Sequence, residues 1–195
     1  MISSDVLAAL SPVADALEAL GARYYVGGSL ASSVHGVPRA SIDADVVTDL
    51  GADQVGAFVA RLQAAYYVDE TRARAAIQAR RSFNLIHLAT MFKVDMFVSK
   101  GRPFDLEALR RASLEPLIDS PDARRFFVAT PEDTILAKLE WFRAGGEASE
   151  RQWTDVVGLL KTGRGRVARD YLERWAAATG VTDLLERAFR DASGK

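Results

Sequence analysis

Tyr24-Tyr25-Val26-Gly27-Gly28-Ser29, followed after a short connection by Ser41-Ile42-Asp43-Ala44-Asp45-Val46-Val47, is the stretch that decides how the rest of the chain is understood. Arg23 to Val26 is β-prone and runs into a glycine pair, after which Leu30 to His35 can form a short helix before Gly36 and Pro38 break it. Strand, glycine turn and helix in that order leave backbone N–H groups free near the helix start, where the helix dipole also favours an anion such as a phosphate. Ile42 to Val47 has the composition of a second strand. Its two-residue period sets Asp43 and Asp45 on one face and Ile42, Ala44 and Val46 on the other. Two adjacent carboxylates supply hard oxygen ligands of the kind Mg²⁺ takes together with substrate phosphate oxygens.

Outward from this stretch, Leu7, Leu10, Val13, Leu17 and Leu20 recur at helical spacing and predict an amphipathic helix over 4–20, closed by Gly21. Residues 52–65 are helical by period, Tyr66 to Val68 is a short strand, and the arginine-rich run Thr71 to Arg81 is a helix or a loop. Phe83 to Leu88 and Phe92 to Val98 have the pattern of two hairpin strands. The second carries Asp95 between Val94 and Met96, a position costly for an acid unless it binds a metal or takes a hydrogen bond. A helix near Leu106 to Arg111 and a strand near Phe126 to Val128 follow. Thr130-Pro131-Glu132-Asp133 then combines a threonine cap, proline at the first helical position and a carboxylate three residues after the cap. That helix ends at Gly145-Gly146, Ser149 to Gln152 opens another, and two more are expected over 166–178 and 182–192. The order is mixed α/β and then all helix, an α+β arrangement with one unit over residues 1–125 and a helical one over 126–195.

The 195 residues suffice for one sizeable core with an appendage, and a hydrophobic share of 49% against 26% charged excludes a disordered or fibrous chain. With 25 basic and 26 acidic side chains, nothing global advertises a polyanionic partner or an anionic membrane. The absence of cysteine removes disulfides, thiolate zinc sites and cysteine nucleophiles. No basic leader or membrane-spanning apolar run is evident, and a cytoplasmic location is expected.

Together, Gly27-Gly28-Ser29, the Asp43-Ala44-Asp45 pair and a later strand aspartate resemble the signature of the polymerase-beta-type nucleotidyltransferases. Arg39-x-Ser41-x-Asp43-x-Asp45 and Ile135-Leu136-Ala137-Lys138-Leu139 are similar to the minimal nucleotidyltransferases and the AbiEii-type abortive-infection toxins. The resemblance implies a nucleotidyltransferase fold, a mixed sheet flanked by helices, with a C-terminal helical subdomain closing one side of a cleft. It implies transfer of a nucleoside monophosphate from a nucleoside triphosphate to an acceptor hydroxyl on RNA, protein or a small molecule such as an aminoglycoside. An antitoxin partner is a further implication. Asp43, Asp45 and Asp95 would hold Mg²⁺, two ions or Mn²⁺ in its place, with Asp95 assisting the base step. Gly27, Gly28, Ser29, Arg39 and Lys138 would meet the triphosphate. A nucleotide-binding interaction module without catalysis is the rival from another class.

Other side chains have plainer expectations. Lys138 lies at the edge of the stripe made by Ile135, Leu139 and Phe142, where a buried stem with an emerging ammonium competes with a phosphate contact. Arg151 and Asp155 have the spacing of an intrahelical ion pair. His35 and His87 lack a ligand-spaced partner and are taken as structural or surface groups. Trp141, Trp153 and Trp175 are expected in the core. Arg72, Arg74, Arg80 and Arg81 are expected on a solvated helical face rather than against RNA.

Overall fold

The computed structural model describes residues 2–163 and 167–194. In chain order the elements are α1 (Ser4–Ala19), β1 (Tyr24–Val26), α2 (Gly28–Val34), β2 (Asp43–Thr48), α3 (Val55–Leu62), β3 (Tyr66–Tyr67), α4 (Glu70–Gln78) and β4 (Ser82–His87). Then follow β5 (Lys93–Val98), α5 (Pro103–Arg111), β6 (Ser113–Pro116), β7 (Arg125–Val128), α6 (Pro131–Ala144), α7 (Glu150–Thr162), α8 (Arg169–Thr179) and α9 (Thr182–Ser193). The expected helix start at residue 166 lies outside the described residues, and the helix itself is seen from Arg169.

The strands form one mixed sheet in the order β3-β4-β5-β2-β1-β7-β6. The pairs β2–β5 and β1–β7 are parallel, and the other neighbours are antiparallel. Alternation decides which side is core. Ala44 and Val46 of β2, Val94 and Met96 of β5, and Phe83 and Leu85 of β4 are all buried. They join α1, α3 and α4 in one cluster with Leu10, Val13, Leu17, Phe58 and Leu62. The intervening residues of β2, β4 and β5 project from the opposite side, which is where the acids stand.

Three expectations change. Ile42 precedes β2 and is 80% exposed, so it does not share the buried face of Ala44 and Val46; the strand begins one residue later, where pairing with β5 begins. Of the arginine-rich run, Thr71 to Gln78 lie in helix α4, its N-cap Asp69 accepting from the Arg72 amide and Arg74 bound to Glu70 across one turn. Arg80 and Arg81 follow the helix, and Arg80 donates to the Ser99 carbonyl at 3.1 Å instead of standing on a helical face. Strand β6 carried no pattern of its own and exists because Ser113–Pro116 pairs with β7 at the sheet edge.

Beyond β7, Thr130 caps α6 as expected, its hydroxyl oxygen accepting from the Asp133 amide. Helices α6 to α9 close around a second apolar cluster containing Leu136, Leu139, Leu159, Leu172, Trp175 and Leu185, to which α5 adds Phe104. Arg102 at the start of α5 donates to both Asp105 and Glu140. Arg111 at its end pairs with Glu132 and Asp133, and Tyr171 of α8 donates to Asp133 at 2.6 Å. These contacts and the packing of α6 against α2 fix the helical part beside the acid-bearing face.

Candidate active site

Asp43 and Asp45 alternate with buried Ala44 and Val46, and parallel pairing sets Asp45 opposite Asp95 and Asp43 opposite Lys93. Residues in register across a sheet share a side, so Asp43, Asp45, Lys93 and Asp95 form a two-by-two array on one face. The three acids, 50 residues apart along the chain between Asp45 and Asp95, thus stand on neighbouring strands. Asn84 continues the Asp45–Asp95 row into β4.

The glycine turn lies against this array. Gly27 donates its N–H to the Asp45 carbonyl at 2.8 Å, holding the end of β1 to β2. Gly28 has φ +55°, and a Cβ built on it would lie 1.7 Å from Oδ2 of Asp45. Both the backbone angle and the carboxylate demand glycine there. Ser29 is buried and its hydroxyl bonds to that of Ser41, which donates to the Asp43 carbonyl at 2.7 Å. Ser29 therefore ties α2 to the start of the acid-bearing strand.

Electrostatically the array is short of positive charge, with three carboxylates against the one ammonium of Lys93. Burial first, and then repulsion from Asp43 and Asp95, raise the Asp45 carboxyl to about 6. Lys93 supplies one compensating charge, with Nζ 2.7 Å from Oδ2 of Asp95 and 3.7 Å from Oδ2 of Asp43. Its ammonium is held protonated chiefly by the Asp95 hydrogen bond. Among the described residues no three acidic, imidazole or thiol side chains already converge as a metal cage. The chemistry of the donor set nonetheless fits a hard divalent cation. It consists of carboxylate oxygens on one face, one raised by burial and then by its like-charged neighbours, with an ammonium drawn to two of the acids.

Lys138 reaches the same region from α6, but its ammonium does not emerge to solvent as a snorkelling lysine would. It is 6% exposed and donates to Oδ2 of Asp155 at 2.8 Å. Burial pushes the lysine down, while Asp155 and, more weakly, Asp45 oppose that shift. Arg39 approaches the same oxygen at 3.1 Å, and its buried Nε has no hydrogen-bond partner. Asp155 is thus the anchor of two cations and not the helical partner of Arg151. The i, i+4 spacing misled because a buried position facing α6 outweighs an exposed intrahelical pair. A cleft of about 530 Å³ adjoins this cluster, lined by Pro38, Arg39, Arg151, Thr154 and Asp155 among others.

Asp155→Ala is expected to leave the Lys138 charge buried without its partner, at a cost of about 3 kcal/mol in urea unfolding. Asp155→Ala combined with Lys138→Met should recover only part of that loss, since Arg39 still lacks its carboxylate, as measured by the double-mutant cycle.

Sequence reasoning missed Lys93 and gave Asp155 the wrong partner, Arg151 in place of Lys138 and Arg39. Lys93 was legible, since it stands two residues before Asp95 on a strand; Asp155 was not, because only tertiary packing brings α7 to α6. The histidines are structural: His35 Nε2 meets the Ala129 carbonyl at 2.7 Å, and His87 Nδ1 meets Thr90. Trp175 enters the second core, and Trp153 packs on Phe142. Trp141 departs from expectation at 56% exposed, edge-on to Phe97.

No family model matches the sequence, and comparison with curated proteins also finds no match. Solved structures do match in fold. One is an antigenic nucleotidyltransferase-like protein from Paracoccidioides brasiliensis, with TM-score 0.54, 15% identity, and coverage of 97% of this chain and 94% of that one. A putative nucleotidyltransferase from Thermotoga maritima has TM-score 0.51 and 16% identity, over 80% of this chain and 96% of its own. ANT(2")-Ia in complex with adenylyl-2"-tobramycin has TM-score 0.55 and 12% identity, over 91% and 97%. At these identities the likeness is one of fold: a mixed α/β architecture shared with nucleotidyltransferase-like proteins. Among the described residues no helix is long and apolar enough to cross a membrane.

Proposed function

We propose that this protein is a divalent-cation-dependent nucleotidyltransferase that moves a nucleoside monophosphate from a nucleoside triphosphate to an acceptor hydroxyl. The observation that supports this reading is the placement of Asp43, Asp45 and Asp95 on one sheet face, in neighbouring register positions, with Asp45 against Gly28. Asp43, Asp45 and Asp95 hold the cation, which when bound neutralises phosphate charge and lowers the cost of the displacement. Asp95 accepts the proton of the acceptor hydroxyl. The acceptor oxygen forms its bond to the α-phosphorus as the bond from that phosphorus to the β-phosphate oxygen breaks, and pyrophosphate leaves.

Gly27, Gly28 and Ser29 line the approach of the triphosphate, and Lys138 on α6 and Arg39 in the α2–β2 connection supply positive charge beside Asp155. The unpartnered Nε of Arg39, beside a cleft of about 530 Å³, favours an anion there. ANT(2")-Ia, whose structure holds an adenylylated tobramycin, shares the fold and makes a small hydroxylated molecule one acceptor to test.

The decisive experiment incubates the protein with each of the four α-labelled nucleoside triphosphates, Mg²⁺ and candidate acceptors or a cell extract. Transfer of label that stops on chelation is expected. Triphosphate binding by calorimetry with no transfer to any acceptor would instead assign a non-catalytic nucleotide-binding module.

A further inference from the structure

We propose that Lys93 is the resident counter-cation of the carboxylate trio, holding Asp43 and Asp95 while no divalent ion is bound and yielding Asp95 when one arrives. The inference rests on the metal-binding reading above and assigns a positioning role to a residue that reading does not use. Lys93 opposes Asp43 in the β2–β5 register and precedes Asp95 on the same face, so its ammonium sits inside the array. Nζ lies 2.7 Å from Oδ2 of Asp95 and 3.7 Å from Oδ2 of Asp43. Among the described residues it is the one cation within ion-pair distance of Asp43 and Asp95; Lys138, bound to Asp155, acts on Asp45 only at longer range, and Arg39 is likewise paired with Asp155.

Two consequences follow from elementary electrostatics. In the absence of a divalent ion, three carboxylates on adjacent strand positions repel, and one ammonium offsets part of that repulsion. In its presence, ammonium and metal compete for the lone pairs of the Asp95 oxygen and repel each other at that range. Lys93 is able to leave. Its side chain is 42% exposed on a flexible stem, so withdrawal into water recovers its hydration. A lysine that only held the carboxylates in place would aid metal binding; one that occupies their charge opposes it.

The test uses the full chain without nucleotide, first stripped by chelator and then titrated with Mn²⁺ by calorimetry, alongside thermal unfolding. Lys93→Met should unfold at a lower temperature than wild type in chelator, yet bind Mn²⁺ about tenfold more tightly. Its Tm should accordingly rise more than wild type at the same Mn²⁺ concentration. Lys93→Arg, which keeps the charge, should restore wild-type affinity, and Lys93→Gln serves if the methionine variant does not fold by circular dichroism. Unchanged or weaker Mn²⁺ binding by the neutral variants overturns the counter-cation role while leaving the metal centre intact. Failure of wild type and variants alike to bind Mn²⁺ overturns the metal centre itself.

Discussion

Asp45→Asn is expected to lower divalent-cation-dependent nucleotidyl transfer by about three orders of magnitude, equivalent to ~4 kcal/mol of transition-state stabilisation. The same change should make the chelated protein more stable. Asp45 is pressed against Gly28 on a half-buried face, and burial, then Asp43 and Asp95, raise its carboxyl from 3.8 to about 6. A carboxyl raised by folding stabilises the folded form while protonated. That contribution is complete below its unfolded value of 3.8 and is lost as pH climbs through about 6. Wild type in chelator should therefore lose stability as pH rises across that window, and the uncharged asparagine should flatten the profile. At pH 7 the variant should exceed wild type by roughly 1–3 kcal/mol in urea unfolding. Saturating Mg²⁺ should close the gap by stabilising wild type alone. A variant that keeps its transfer rate, or that is less stable than wild type in chelator, contradicts this account of Asp45.

Gly28→Ala is expected to damage both stability and transfer. The added methyl would stand 1.7 Å from Oδ2 and 2.7 Å from Cγ of Asp45, far inside van der Waals contact, at a backbone φ of +55°. Either the carboxylate rotates away from the array or the start of α2 moves from β2. The backbone strain alone costs about 1–3 kcal/mol. If Asp45 holds the cation as proposed, displacing its carboxylate by about an ångström is expected to cost roughly a hundredfold in rate. Gly27→Ala is the control for stability. A Cβ there meets only the Tyr25 ring, at 3.5 Å and beyond, so wild-type unfolding is expected. Equal unfolding midpoints for the Gly28 and Gly27 variants would show that Asp45 does not need the space that Gly28 leaves.

The two glycines look alike in the sequence, and the difference between them shows where local patterning stops. Alternation along Asp43 to Val47 and along Lys93 to Val98 was sufficient to set which side of each strand is polar. It could not set register, and register alone puts Asp95 beside Asp45. Had β5 paired one residue out of step, Asp95 would have faced the helices with Val94 and Met96 exposed in its place. Lys93 was equally visible as an i−2 neighbour of Asp95, but an ammonium on a strand has no meaning until the opposite strand brings Asp43 to it.

Lys138 and Asp155 mark the other limit. Helical period placed Lys138 and the Ser149 start placed Asp155 on helices, and the Thr130-Pro131 start was legible because capping is a local matter of backbone donors. Which helix faces which was not local, so the intrahelical pairing of Arg151 with Asp155 gave way to a buried bridge from α7 to α6. Trp141 failed as a core residue for the same reason: its helix already presents Ile135, Leu139 and Phe142 to the second core, leaving the indole outside beside Phe97.

By itself the sequence determined most of the succession of elements, β6 and the choice of helix for α4 excepted, together with the acid-bearing faces of two strands and the glycine turn, because each depends on backbone geometry within a few residues. The tertiary structure alone decided that the acids meet, that Lys93 stands among them, and that Asp155 captures Lys138 and Arg39. Those contacts depend on strand register and helix docking, which are set by burying apolar area over the whole chain and leave no signature at the residues they bring together.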